Sequence, residues 1–195
     1  MGEGRRPRKS DAKLLDAWRR GDKQAGAQLI GRHYKGIVRF FDSKVNAAQD
    51  RDDLVQETLR AGVEARDRIK DTSRFEAYLF RIAYNTLKRY LRRKYRVVED
   101  DLSSRSMQDI APGASTMLQA LEQHEQLLSA LRELPTNLQT AFELKYWDGL
   151  TSSEIAVVMG TRPSTVRSFL SRGRKLLEEK LGDTPMPAVG LPEPV

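Results

Sequence analysis

Over most of the chain apolar residues recur every three or four positions, the period of amphipathic helices. Leu14, Leu15 and Trp18, then Ala25, Leu29 and Ile30, flank Gly21-Asp22, which reads as a turn or helix break, and Tyr34, Ile37, Val38 and Phe41 carry the pattern on. Residues 50–66 open with carboxylates, which a helix dipole favours at its N-terminus, and turn Leu54, Val55, Thr58, Leu59 and Val63 inward. A polar connector, 67–73, leads into the stretch 74–96, which carries two stripes. Phe75, Leu79, Ile82, Ala83 and Leu87 would be buried, while Arg74, Tyr78, Arg81, Asn85, Lys88 and Arg92 stack along an exposed side.

The pattern lapses over 97–116, an acidic segment with Ser, Pro and Gly that reads as a domain boundary and a tether. It resumes at 117–134 through Leu118, Leu121, Leu127, Leu128 and Leu131, and Pro135 ends it. Two capping boxes are predicted, Thr136 with Gln139 and Thr151 with Glu154. Between them Trp147-Asp148-Gly149 makes a turn, with Trp147 in the core. From Thr151 onward a short helix stopped by Gly160, a tight turn and a second helix entered at Pro163 form a helix-turn-helix. Val166, Leu170 and Leu177 are its inward positions. Fold class is therefore all-α: two small helical domains joined by a flexible acidic linker, the C-terminal one a helix-turn-helix. The ends, 1–10 and the proline-rich 182–195, read as disordered tails.

Charge changes this picture from a helical protein to one with a polyanionic partner. The net charge is +7 and the pI 9.7. Segment 74–96 holds eight Lys or Arg against one acid, Glu76, interleaved with tyrosines and Asn85, which suits phosphates and unstacked bases. Residues 162–175 carry five cations, no acid and a cluster of hydroxyls near the start of a recognition helix. A membrane surface is the competing polyanion. No run is long and apolar enough to span a bilayer and residues 1–9 lack the apolar core of a signal peptide, so a cytoplasmic protein without membrane insertion is expected. There is no cysteine, and His33 and His124 lie too far apart in sequence to make a zinc site; no metal and no cofactor is expected. Asp52, Asp53 and Glu57 raise the rival reading of a Mg²⁺-dependent nuclease, but no general base accompanies them. Connector 67–73 could accept an unstacked base, although a plain link is the commoner reading.

On these motifs the chain resembles a bacterial sigma factor of the extracytoplasmic-function group, over about 14–181. Asp50, Asp53, Leu54, Val55, Gln56 and Glu57 match the D-x-x-D-L-V-Q-E pattern of region 2.2. Phe75, Leu79, Arg81, Ile82, Ala83, Asn85 and Arg92 fit regions 2.3 and 2.4. Leu134-Pro135, Leu144, Gly149, Glu154-Ile155-Ala156, Gly160, Thr165-Val166, Ser168, Arg172 and Arg174 fit region 4. The resemblance implies region 2 over 11–96, a linker over 97–116 and region 4 over 117–181. It implies core-polymerase binding, on the beta-prime clamp and beta subunits, through Asp50, Asp53, Leu54, Gln56, Glu57 and Arg60. Minus-10 promoter DNA would be melted and held by Arg74, Tyr78, Arg81, Asn85, Lys88, Arg89, Arg92 and Arg93. Minus-35 duplex would be read by Arg162, Ser164, Thr165, Arg167, Ser168, Ser171, Arg172 and Lys175. No residue would be catalytic, and an anti-sigma factor is a further partner the family admits. Several positions depart from the pattern: Arg89 for Asp, Gly62 for a bulky residue, Gln139 for Arg, Arg162 for a capping Ser, Phe169 for Arg, and Gly173 for Ala, which by propensity alone weakens its helix by about 1 kcal/mol. The alternative is a stand-alone helix-turn-helix regulator whose N-terminal domain dimerises.

Overall fold

The computed structural model describes residues 9–96, 106–107 and 122–181. Their regular structure is helical: α1 (Lys9–Arg19), α2 (Lys23–Asp42), α3 (Ala48–Glu64), α4 (Phe75–Tyr95), α5 (Glu122–Arg132), α6 (Thr136–Tyr146), α7 (Ser152–Met159) and α8 (Pro163–Leu181), with 3-10 turns at Arg66–Arg68 and Thr72–Arg74. Helix α1 begins two residues before the expected start. Tails 1–8 and 182–195, and the side chain of His124, lie outside the described residues.

The break after α1 forms as expected. Gly21 takes φ +100, open to a residue without Cβ, and Asp22 caps α2 by accepting the Ala25 N–H at 3.0 Å. Helices α1 to α4 close around Leu15, Leu29, Ile37, Phe41, Phe75, Leu79, Ala83 and Leu87, each no more than 1% exposed. His33 of α2 ties three of these helices together, 2.9 Å from Asp11 of α1 and 3.6 Å from Glu76 of α4. Connector 67–73 is anchored too: Ile69 is buried, and Arg19 donates to the carbonyls of Arg66 and Ile69. The buried side of α4 is wider than the single apolar stripe expected for it. Ile82 is only half-buried, whereas Ala77, Phe80, Tyr84 and Leu91 are buried as well, because α4 packs on α3 and also on α7 of the C-terminal unit.

In that unit Leu127, Leu131, Leu134, Leu138, Phe142 and Leu177 form a core shared by α5, α6 and α8. The predicted box at Thr151 and Glu154 forms in both directions, with the Thr151 N–H donating to Glu154 Oε2 at 2.8 Å. That at Thr136 and Gln139 does not. Pro135 takes the extended N-cap position and its carbonyl accepts from the Leu138 and Gln139 N–H groups, so Thr136 is already helical and Gln139 turns to Glu143 instead. Gly160, at φ +67, stops α7 before the turn into α8.

The two units are in contact, and the segment expected to be a mere tether is docked where it is described. Ser106 bridges to Pro135, and Met107 is 1% exposed within the cluster that spans both units; residues 97–105 and 108–116 lie outside the described ones. Buried charge also crosses the contact. Lys44 pairs with Glu143 and Arg39 with Asp148, the latter at 2.6 Å.

Candidate nucleic-acid interface

Helix α4 presents its cations in the order the spacing predicts. Arg74, Arg81, Asn85, Arg89, Arg92 and Arg93 are exposed, and Tyr78 and Lys88 half-exposed. Arg74 pairs with Asp71 at 2.9 Å, and the Lys88 ammonium lies 5.1 Å from the centre of the Tyr84 ring. The tyrosines divide. Tyr84 and Tyr90 are 8% and 5% exposed and belong to the core, so only the half-buried Tyr78 and Tyr95 offer ring surface for stacking.

Helix α3 sets an acidic face directly beside this one. Asp53, Gln56, Glu57 and Arg60 are exposed, while Leu54 lies beneath them at 4% exposure and contributes packing rather than contact. Asp50 accepts from Lys94 and, at 2.8 Å, from the Tyr90 hydroxyl, and these bonds hold its carboxyl below the usual range. Glu57 accepts from Arg89 at 2.6 Å. The acids expected to meet protein and the cations expected to meet DNA are thus knitted into one surface. Arg89, a departure from the family pattern, has a physical reason here, since an Asp at that place would face Glu57. Among the described residues no three His, Asp or Glu gather as a metal would need. Instead, Glu57 engages Arg89, and Asp53 lies 3.4 Å from the Gln49 amide.

Helix α8 carries the second basic face. Arg162, Ser164, Arg167, Ser168, Ser171, Arg172 and Lys175 are exposed and Thr165 is half-exposed, while Val166 and Leu177 are fully buried and Leu170 half-buried. Arg174, outside the predicted contact set, donates to the Tyr146 hydroxyl at 3.0 Å and steadies α8 on α6. Three further departures are also explained. Phe169 packs against the apolar clusters, and Gly173 is buried where a Cβ would lie 2.6 Å from Phe142 Cε2. Gly62 is a close approach of the same kind, a Cβ there falling 2.7 Å from Leu79 Cδ1.

Sequence spacing did not find the buried titratable groups. Burial disfavours charge on His33, but hydrogen bonds and charges from Asp11 and Glu76 outweigh it and raise its pKa to about 9. Burial pushes Asp148 up to about 7 against the pull of Arg39. Lys44, wholly enclosed, is pushed down by burial against the attraction of Glu143.

Two exposed basic helices, one beside an acidic face and one in a helix-turn-helix, define a DNA-engaging transcription protein of two units. The Sigma-70 region 2 family matches residues 29–97, and the Sigma-70 region 4 family matches residues 124–177. The chain is 30% identical over 182 residues to the ECF RNA polymerase sigma-E factor of Escherichia coli (strain K12), covering 88% of this chain and 94% of that one. It is 29% identical over 181 residues to the RNA polymerase sigma-H factor of Pseudomonas aeruginosa, covering 88% and 93%. Among solved structures, CnrH in complex with the cytosolic domain of CnrY is similar at a TM-score of 0.62 and 26% identity, over 87% of this chain and 96% of that one. The sigma factor RpoE of Bartonella quintana, solved with the anti-sigma factor NepR, shares the fold at a TM-score of 0.65 and 24% identity, over 80% and 96%. This chain belongs to the extracytoplasmic-function RNA polymerase sigma factors.

Proposed function

We propose that the chain binds bacterial RNA polymerase core through the α3 face, holds the melted minus-10 strand on α4 and reads minus-35 duplex with α8. The observation that carries this reading is the pair of exposed cationic faces on two separately matched sigma regions, with the acids of α3 beside the first. On α3 the contact residues are Asp50, Asp53, Gln56, Glu57 and Arg60, with Leu54 supporting them from below. On α4, Arg74, Arg81, Lys88, Arg89, Arg92 and Arg93 take phosphates, Tyr78 stacks and Asn85 offers its amide to a base. Unpairing a few base steps costs several kcal/mol, and stacking of about 1–3 kcal/mol per base with added phosphate contacts is of the size needed. On α8, Ser164, Thr165, Arg167, Ser168, Ser171 and Arg172 face base edges, and Arg162 and Lys175 flank them on phosphates.

The functional bounds under this reading are 11–96 for region 2 and 117–181 for region 4, with 97–116 between them. Bond-making chemistry belongs to the polymerase. Both solved relatives carry a bound protein, CnrY or NepR, and an anti-sigma partner of that kind belongs to the reading. Among the described residues no helix is long and apolar enough to cross a membrane, and the site of action is with the polymerase in the cytoplasm.

Run-off transcription with purified core polymerase on a pool of promoter fragments tests this. Transcripts that depend on the protein and share two upstream elements are expected. Tight duplex binding without polymerase, no co-elution with core and no transcript would replace this reading with a stand-alone regulator.

A further inference from the structure

We propose that Tyr90 is a positioning residue for polymerase docking: its hydroxyl, fixed by the core, holds the Asp50 carboxylate in the orientation in which the α3 face meets its partner. This deepens the docking reading above and rests on it for its consequence, though not for its geometry.

Asp50 is the third residue of α3, a place from which an acid can reach back to the N-cap N–H while the N-cap side chain bonds in return. Here the N-cap is Ala47, which makes no side-chain bond, so the exchange has only one possible half. Asp50 turns across to α4 instead. Its Oδ2 accepts from the Tyr90 hydroxyl at 2.8 Å and from the Lys94 ammonium. Tyr90 and Lys94 are one turn apart on α4 and so reach the same spot. Both bonds end on one oxygen, and the Asp50 side chain stays 33% exposed, within a partner's reach.

The two donors differ in what they supply. Tyr90 is 5% exposed and its ring lies in the main apolar cluster, with Tyr95 packed edge-on against it at 6.2 Å between ring centres. A tyrosine has only two side-chain torsions, and packing of the ring settles both, so the hydroxyl is a fixed donor. Lys94 is 39% exposed on a flexible stem, its ammonium 5.3 Å from the centre of the Tyr90 ring and 5.8 Å from that of Tyr95. The bond from Lys94 does most to keep the Asp50 carboxyl below the usual range, that from Tyr90 comes next, and the Arg93 charge adds to them. Charge thus comes mainly from the lysine and direction from the tyrosine. The other acids of the face are met from exposed side chains: Asp53 by the Gln49 amide at 3.4 Å, and Glu57 by Arg89, which is 68% exposed.

A plain strap between α3 and α4 is the alternative. Those helices already pack through Leu54, Val55, Leu79 and Leu87, all buried, and one bond to a partly exposed carboxylate adds little to that. Its larger effect is on freedom. A loose carboxylate must give up its rotamers when it docks, whereas one held in place has done so beforehand; the difference for one side chain is about threefold to tenfold in affinity.

Tyr90→Phe keeps the ring and removes only the hydroxyl. Dissociation constants for core polymerase are measured with the full-length parent, Tyr90→Phe, Asp50→Ala and the double variant. Tyr90→Phe is expected to bind core about threefold to tenfold more weakly than the parent, and to add less than about twofold in the Asp50→Ala background, where no carboxylate remains to be oriented. Unchanged binding by Tyr90→Phe overturns the proposal. So does an equal loss in both backgrounds, the mark of a strap that acts through the fold, and so does parental affinity in Asp50→Ala, which would take Asp50 off the docking face. In a second arm, the Asp50 carboxyl is titrated by NMR: its pKa should move up towards the ordinary value in Tyr90→Phe, and an unchanged titration overturns the proposal. If the parent itself does not bind core, the docking reading fails and takes the proposal with it. A parent that binds core, beside a Tyr90→Phe protein that binds equally well, removes the proposal alone.

Discussion

Gly173→Ala separates propensity from packing, because the two predict opposite signs. In a helix interior Ala is favoured over Gly by about 1 kcal/mol, so an exposed glycine in α8 would be improved by the change. Gly173 is buried, however, and a Cβ added there would meet Phe142 Cε2 at 2.6 Å, Cδ2 at 3.0 Å and Leu138 Cβ at 3.6 Å. Carbon atoms rest about 3.5–4.0 Å apart, so the overlap with the ring approaches 1 Å. Phe142 is fully buried, with its ring 5.2 Å from that of Tyr146, and has little room to swing away. Inserting a methyl group into such packing costs about 1–3 kcal/mol, and this overlap belongs near the upper end. Set against the propensity gain, the net expectation is a loss of about 2 kcal/mol, or a Tm lower by roughly 4–8 °C for a chain of this size. Urea unfolding followed by helical circular dichroism measures it. Gly62→Ala is the comparison, since its Cβ would meet one atom at the end of the buried Leu79 side chain rather than a ring; a cost at the lower end of the overpacking range, set against the propensity gain, leaves an expected net change within about 1 kcal/mol. Because Phe142 and Gly173 set how α8 lies on α6, minus-35 duplex binding should weaken along with stability. A Gly173→Ala protein more stable than the parent by about the propensity difference would refute the reasoning.

Three other expectations follow from the geometry. His33 keeps in the folded protein a proton that the unfolded chain releases above about pH 6.5; its contribution is complete below that pH and is lost as pH rises through about 9, a loss of roughly 3 kcal/mol. Denaturation midpoints measured from pH 6 to 9.5 should fall in the parent and flatten in His33→Gln, and a flat parent profile would remove the charged clamp from the account. Asp53→Arg combined with Glu57→Arg should abolish co-elution with core polymerase while shifting stability by less than about 1 kcal/mol, since both side chains are exposed; retained core binding would dismiss the α3 face as the docking surface. Arg167→Ala and Arg172→Ala should each relax sequence preference for the duplex at a cost of about 1–3 kcal/mol, whereas Arg162→Ala and Lys175→Ala should weaken binding evenly across sequences and each reduce the slope of log affinity against log salt by about 0.9; unchanged sequence preference in Arg167→Ala and Arg172→Ala would remove them from the base-reading face.

How far the sequence could be read depended on how local the cause was. Helices declared themselves through their 3.6-residue period, and the Asp22 cap, the Thr151 and Glu154 box and the Gly160 stop were each encoded within four residues. Exposure on α4 and α8 followed from the same periodicity, because a residue's face is set by its own helix. Where two local signals competed, spacing misled. Thr136 and Gln139 match a capping box, but the preceding Pro135 supplies the extended residue and moves the helix start by one position. Tyr84 and Tyr90 sit among cations in sequence yet lie inside the core, since a helix covered on two sides buries residues that a single stripe would leave out. The docked Met107 escaped notice because one apolar residue in a polar segment has no period.

Pairing between helices was beyond any local reading, and it is pairing that gives the surface its character. Asp50 and Glu57 were legible as acids on an exposed face, and Lys94 and Arg89 as cations on another, but nothing in either segment says that 44 and 32 residues later they meet. Exposed ion pairs of this kind contribute little to stability, so their consequence lies in how they limit one another. A partner that draws Glu57 into a contact of its own releases Arg89, and a phosphate that takes Arg89 uncovers Glu57. In the proposed role the two contacts therefore compete for one exposed ion pair, and any coupling between them is limited to the small energy of that pair. The pairing also accounts for an arginine at position 89: with an aspartate there, α3 and α4 would meet acid to acid at Glu57, and the basic face would lose a cation.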